Sequence, residues 1–320
     1  MKRARITTTM ITTMALALGL TGCGGAKTTE TTEAVTQTEA TTVEATTKES
    51  TTVEVTTEAT TEEATTEEVT TEEPTTEAPA TEAAAPAGDY GSYPNDKYAW
   101  WFVRNTDHTQ SGCQQDFDFS QYGAYYLNRN CTDNVIYLTF DCGYENGYTN
   151  QILDILGAND VKAMFFVTKG FIKDNPDLVK RMKAEGHMVG NHTVTHPSMP
   201  ELSVDELKQE IQENAAYMKE ATGYDMDPYL RPPMGEYSQR TLKLTQDMGY
   251  KTIFWSIAYL DYDVNNQPGK DYVVEHFRTY YHPGAIPLIH NVSQSNTEAL
   301  QDVITLLRDN GYRFGTLNEL

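Results

Sequence analysis

Val135-Ile136-Tyr137-Leu138-Thr139-Phe140-Asp141-Cys142-Gly143 is an apolar, β-branched and aromatic run that ends on a carboxylate and a thiol. Six residues, 135–140, are too few for a stable helix and suit a buried strand. The polar end then puts Asp141 at the strand's C-terminal tip. Similar short runs recur at 163–167, 187–191, 229–231, 251–255, 285–290 and 312–314. Helical patterns separate them near 149–156, 176–185, 203–222, 238–248, 270–281 and 296–310. Asn175-Pro176 reads as a helix start, and Ser203 with Glu206 as a capping box. Gly186, Gly223, Gly249 and Gly311 each stand between a helix and the next strand, as terminating glycines do. Seven strands alternating with helices predict an α/β fold: a parallel sheet with right-handed crossovers, open or closed into a barrel. Reactive groups in such folds gather at the C-terminal ends of the strands.

Five strand ends meet that expectation. Asp141 closes the first strand. His192 and His196 follow the third, in Gly190-Asn191-His192-Thr193-Val194-Thr195-His196-Pro197. Arg231 closes the fourth, in Arg231-Pro232-Pro233-Met234-Gly235. Trp255 and Asp261 lie at and beyond the end of the fifth, and His290 ends the sixth. Two imidazoles at i, i+4 can face one metal ion if the backbone turns helically there. The spacing alone is weak; the whole set on successive strand ends is specific.

These residues resemble the motifs of the polysaccharide deacetylase family (NodB-like, carbohydrate esterase family four) over roughly 130–320. Phe140-Asp141-x-Gly143-Tyr144-Glu145-Asn146-Gly147-Tyr148 and Phe254-Trp255-Ser256 resemble more closely the branch that deacetylates peptidoglycan N-acetylmuramic acid. Residues 101–108 and 122–127 are similar to that branch too. The resemblance implies a distorted (β/α)7 barrel and a divalent metal, zinc favoured, held by His192 and His196. It implies Asp141 as general base, with Arg231 keeping it ionised and oriented. It also implies His290 as the acid that protonates the departing amine, with Asp261 fixing its tautomer. The backbone N–H of Tyr144 is a candidate oxyanion donor, and Trp255 a substrate contact.

The family's usual third ligand is an Asp where this chain has Cys142. Two readings stand: a thiolate that ligates zinc, or a small half-buried side chain beside a two-histidine site completed by water. Cys113 and Cys131 could bridge in an exported protein, or stay apart. Tyr144, Tyr148, Tyr237, Trp255, Tyr259 and Tyr262 read either as a sugar-stacking platform or as ordinary packing. His187 reads as a satisfied core or rim histidine. Asp263 competes with Asp261 on spacing alone.

The chain around this core has 320 residues and a formal charge of −22. Lys2, Arg3 and Arg5 precede a moderately apolar stretch ending Leu20-Thr21-Gly22-Cys23, which resembles a bacterial lipoprotein signal, with Cys23 as the lipidated residue. Residues 28–88 hold 23 Thr and 15 Glu in 61 positions, with no aromatic residue. Such a segment has no face to bury and predicts a disordered tether, about 200 Å when fully stretched and about 45 Å as a coil. Residues 89–320 hold every Trp, Tyr and Phe and carry about −12. That balance excludes a basic nucleic-acid surface. The expected organisation is a signal at 1–22, a lipidated Cys and linker at 23–88, an irregular aromatic-rich lead-in at 89–130 and a catalytic domain at 131–320. The expected protein is a monomeric, membrane-anchored lipoprotein acting outside the cytoplasm on peptidoglycan. Alternatives are a deacetylase of N-acetylglucosamine in peptidoglycan or an exopolysaccharide, and a non-catalytic wall-binding module.

Overall fold

Period two divides the 135–142 run between two environments. Ile136, Leu138, Phe140 and Cys142 join a core shared with Ile152, Leu153, Val303 and Ile304, which come from helices. Val135 and Tyr137 join another with Met164, Phe166, Met188, Tyr229 and Ile253. The first core lies between sheet and helices; the second fills the inside of the curl. Coverage of both faces is what a parallel sheet requires.

The computed structural model describes residues 88–115 and 118–320. The signal, Cys23 and the tether expected to 88 lie outside these residues, apart from Gly88. Seven strands form one all-parallel sheet: β1 (Ala124–Tyr125), β2 (Thr139–Cys142), β3 (Met164–Val167), β4 (Met188–Asn191), β5 (Tyr229–Leu230), β6 (Lys251–Ile253) and β7 (Leu288–His290). Their order across the sheet is β7-β2-β3-β4-β5-β6-β1. The curl brings β6 back towards β7 through a parallel bridge between Ile257 and Pro287. The result is the curled α/β sheet of the (β/α)7 type. Helices α1 (Thr149–Ala158), α2 (Lys169–Asp174), α3 (Pro176–Ala184), α4 (Val204–Thr222), α5 (Gln239–Asp247), α6 (Lys270–Tyr280) and α7 (Gln294–Asp309) accompany the strands.

The seventh strand is not the one the sequence suggests. Arg313–Phe314 pairs in parallel with Val135–Ile136 in a separate two-stranded ladder. Its place is taken by β1, from the lead-in segment, which lies parallel to β6. β1 is too short to show any periodicity. The lead-in also supplies Trp100, Phe102, Phe119, Tyr126 and Leu127 to a third core with Tyr237, Phe254 and Trp255. The Trp100 indole donates to the Trp255 carbonyl at 3.0 Å, and its ring stacks on Phe254 at 4.8 Å. This segment is therefore an integral wall of the barrel. The predicted caps form as expected: Ser203 and Glu206 make a reciprocal capping box, and the four glycines adopt φ of 80–87°.

Gly190 marks where the interior is tightest. A Cβ there would run into Met164 Cε and meet the Tyr229 carbonyl oxygen at 2.7 Å. The methionine can swing away, but the backbone oxygen of β5 cannot. Gly190→Ala is expected to destabilise the domain by about 1–3 kcal/mol. Thermal denaturation checks this; an unchanged melting temperature would show that β4 and β5 separate more easily than the packing implies.

Candidate active site

Parallel pairing of β7 with β2 sets His290 opposite Asp141. Arg231, one residue past β5, is completely buried and donates to Asp141 Oδ1 at 2.7 Å. Its other donors reach the Ile253 and Phe254 carbonyls, each at 3.1 Å, and its guanidinium carbon lies 4.4 Å from the Phe166 ring centroid. Burial would raise the Asp141 carboxyl; the charges of Arg231, His192 and His290 outweigh it and hold the group below the usual carboxylate range. Asp141 is thus an ionised, oriented carboxylate.

His192 Nδ1 lies 2.9 Å from the Arg231 carbonyl oxygen. A carbonyl only accepts, so Nδ1 carries the hydrogen and the Nε2 lone pair is available. That Nε2 is 3.6 Å from Asp141 Oδ2. The His196 ring stands 4.8 Å from that of His192, at 73°. Burial depresses both imidazoles, His192 to about 4, so both are neutral near pH 7. The i, i+4 spacing does not act through a helical turn here. Residues 192–196 form a loop in which Thr193 and His196 adopt φ of 66° and 59°. Such conformations cost about 1–3 kcal/mol each and need external support. Glu210 of α4 supplies it, accepting from the backbone N–H groups of Val194 at 2.8 Å and Thr195 at 2.9 Å. Asn191 Oδ1 accepts from Thr193 N at 2.9 Å and is itself held by Asn214 at 3.0 Å. Two neutral imidazoles are donors of the type a divalent cation of borderline softness accepts, but the pair alone is one donor short of the usual three protein ligands. Among the described residues, no group of three or more His, Cys, Asp or Glu is arranged to hold a metal ion.

His290 Nδ1 is 2.7 Å from Asp261 Oδ1, which fixes the hydrogen on Nδ1. The second Asp261 oxygen accepts from the His290 backbone N–H at 2.8 Å and from Asn296 Nδ2 at 2.6 Å. Burial would lower the His290 imidazole; the Asp261 carboxylate more than offsets it, and the net displacement is upward. Asp263 plays no part in this pair and accepts instead from the Asn265 backbone. Asn296 and Glu210 are the residues that sequence reading missed. Asn296 sits in the first turn of α7, three residues after its Ser293 cap. Glu210 lies in mid-helix, where nothing marks a carboxylate as holding a distant loop.

A cavity of about 770 Å³ opens over these groups, lined by Asp141, His192, His196 and His290 and flanked by Tyr144, Trp255, Tyr259 and Tyr262. Four of the six expected aromatics thus face the cavity. Tyr148 and Tyr237 pack into cores and do not line it, whereas Trp255 and Tyr259 do both. The loop bearing Tyr144 is tied down by Asn291, which donates to the Tyr144 carbonyl at 3.0 Å. Cys142 is fully buried with Phe140 in the sheet–helix core, and burial pushes its thiol well above the ordinary range. It does not line the cavity. Strand alternation gives the reason: Asp141 points inward, so its neighbour points out. The sulfur is placed for packing. Cys113 and Cys131 are not bridged. Cys113 packs on the aromatic lead-in core and donates to the Gln115 carbonyl at 3.2 Å, whereas Cys131 packs on the barrel-interior core. His187 lies in the core as expected and accepts from the Ala163 backbone through Nδ1, but its buried Nε2 has no hydrogen-bond partner among the described residues, so it is not fully satisfied.

Comparison with known proteins gives one family. Residues 128–253 match the polysaccharide deacetylase model. The chain is 43% identical over 239 residues to peptidoglycan-N-acetylmuramic acid deacetylase PdaA of Bacillus subtilis, covering 74% of this chain and 90% of that protein. The solved structure of Bacillus subtilis PdaA, a family 4 carbohydrate esterase, superposes with a TM-score of 0.68 over 71% of this chain and 97% of that one. A family 4 pseudoenzyme from Bacillus anthracis, BA3943, is 32% identical with a TM-score of 0.57, over 62% of this chain and 68% of that one. With its strand-end residues gathered on one cavity, the chain belongs to the polysaccharide deacetylase family, hydrolases that act on amide carbon–nitrogen bonds.

Proposed function

We propose that this protein removes acetate from N-acetylmuramic acid in peptidoglycan, and that it does so with a divalent cation, zinc favoured, at His192 and His196. The observation that carries the reading is the pairing of an Arg231-held carboxylate with an Asp261-held imidazole on neighbouring strand ends. The muramic preference rests on the similarity to PdaA. A bound cation would polarise the acetamide carbonyl and acidify water. The chain's own groups do the rest. Asp141 takes a proton from the attacking water. His290, protonated on Nε2 as well as Nδ1, gives a proton to the departing nitrogen. Water adds to the carbonyl carbon and the C–N bond breaks, leaving acetate and a free amine on the sugar. Tyr144 N–H is the proposed donor to the oxyanion, and Trp255 a contact for the bound sugar.

The proposed setting is the outer face of a bacterial membrane, with Cys23 lipidated and the Thr/Glu-rich linker reaching into the wall. Among the described residues, no helix is long and apolar enough to cross a membrane. A monomer fits this arrangement, because the residues proposed for catalysis all come from one chain.

Three outcomes follow from this reading. The full-length chain should release acetate from peptidoglycan glycan strands, with mass spectrometry locating the loss on muramic acid; Asp141→Asn and His290→Ala should each cut kcat by about 10²–10⁴-fold. Loss of acetate only from N-acetylglucosamine would overturn the muramic assignment, and undiminished variants would overturn the roles. Because Asp261 raises the His290 pKa, the protonated acid persists to higher pH and activity falls as pH rises through that value. Asp261→Asn should therefore lower kcat and move the alkaline limb of the pH–rate profile to lower pH; a limb that stays put would remove Asp261 from this role. Finally, Cys23→Ser should shift the protein from the membrane fraction to the soluble fraction on cell fractionation, and retention at the membrane would refute lipid anchoring.

A further inference from the structure

One group on the cavity wall has no part in the chemistry above. Arg104, in the lead-in segment, lines the cavity beside Trp101 and is exposed. Its guanidinium carbon lies 5.3 Å from the Trp101 ring centroid, 5.2 Å from Phe102 and 5.7 Å from Tyr280. One donor reaches the Ala258 carbonyl at 2.8 Å. A guanidinium has five N–H donors, and no carboxylate among the described residues forms an ion pair with this one. Arg104 is also the sole Lys or Arg among the described residues that lines the cavity. Arg231 is completely buried and engaged with Asp141 and two carbonyls, so it is not presented to a substrate.

The position is fixed as well as charged. Ala258, which Arg104 grips, lies three residues before Asp261, the partner of His290. The guanidinium is thereby tied to the segment that orients the acid. An anion approaching a domain of about −12 meets overall repulsion, and a fixed local cation reverses that at the cavity mouth. The exposed rim residues beside it, Trp101, Leu260, Tyr262 and Tyr272, are apolar or aromatic. They offer stacking to a sugar ring but no charge selection.

We propose that Arg104 is a specificity-determining residue that binds the carboxylate on the 3-O-lactyl arm of muramic acid. The planar fork of a guanidinium matches a carboxylate and has no comparable partner on N-acetylglucosamine, which lacks that arm. When the lactyl group is joined to a peptide, the carboxylate becomes an amide and the ion pair is lost. The inference rests on the peptidoglycan deacetylase reading and names the feature of the sugar that is read.

The test uses the full-length chain and two glycans that differ only at the lactyl group. One carries free carboxylates, and in the other they are converted to methylamides. Acetate release gives kcat/KM for each. The wild type should favour the free acid by about 10- to 100-fold. Arg104→Gln should collapse that ratio towards one, mainly through KM, and Arg104→Lys should restore part of it. Because Arg104 also packs on aromatic rings, a wild-type measurement stands beside the variants: KM for the free acid should rise with ionic strength, and KM for the methylamide should not. Acetate from neither glycan would overturn the muramic reading and this inference with it. Acetate from both with equal efficiency, a ratio that Arg104→Gln leaves unchanged, or a salt-independent KM would overturn the inference alone.

Discussion

The buried ion pair between Arg231 and Asp141 is the constraint on which the rest of the structure depends. Removing two charges from water is expensive, and their attraction offsets that cost only when the geometry is good and the remaining donors are satisfied. Here they are: Arg231 reaches the Asp141 carboxylate and the carbonyls of Ile253 and Phe254, and packs over Phe166. The guanidinium therefore joins the ends of β2, β5 and β6 inside the curl. Its own carbonyl fixes the His192 tautomer. The Arg231 side chain thus ties strand ends together and keeps Asp141 ionised, while its backbone carbonyl sets the tautomer of the His192 imidazole. That coupling explains why the Arg lies so deep, where its function is structural and electrostatic together.

Much of this was legible because strand ends and helix caps have local signatures. The apolar runs leading into Asp141, Arg231 and His290 locate the strands, and the following polar residue locates the site. The glycines after helices and the Ser203 cap fix the boundaries by short-range chemistry. What was not legible depended on long-range partners. Two-residue β1 joins the sheet because β6 offers an edge, not because Ala124 and Tyr125 carry a pattern. Residues 192–196 reach their geometry through left-handed backbone held by Glu210, a residue on another element. The side of the strand taken by Cys142 follows from alternation, and a motif comparison that aligns positions without faces does not reveal it.

The division of labour along the chain also bears on how the family varies. Asp141, His192, His196 and Arg231 fall within the stretch matched by the family model, whereas Asp261 and His290 lie beyond it. Asp261 and His290 thus belong to the later part of the barrel, and Arg104 to the segment before the matched stretch. The Bacillus anthracis neighbour described as a pseudoenzyme shows that this architecture persists where activity does not. In the present chain the Arg231-held carboxylate of Asp141 and the Asp261-held imidazole of His290 are both present and lie on paired strand ends.

Beneath the reactive groups, Met164, Phe166, Met188, Tyr229 and Ile253 leave the centre of the barrel filled, and Gly190 has no room for even a methyl group. The floor of the site is therefore built of packed side chains. With its depth closed in this way, the cavity is entered from the rim where Trp101, Leu260, Tyr262 and Tyr272 stand exposed, and anything parked across that rim obstructs the approach to Asp141 and His290.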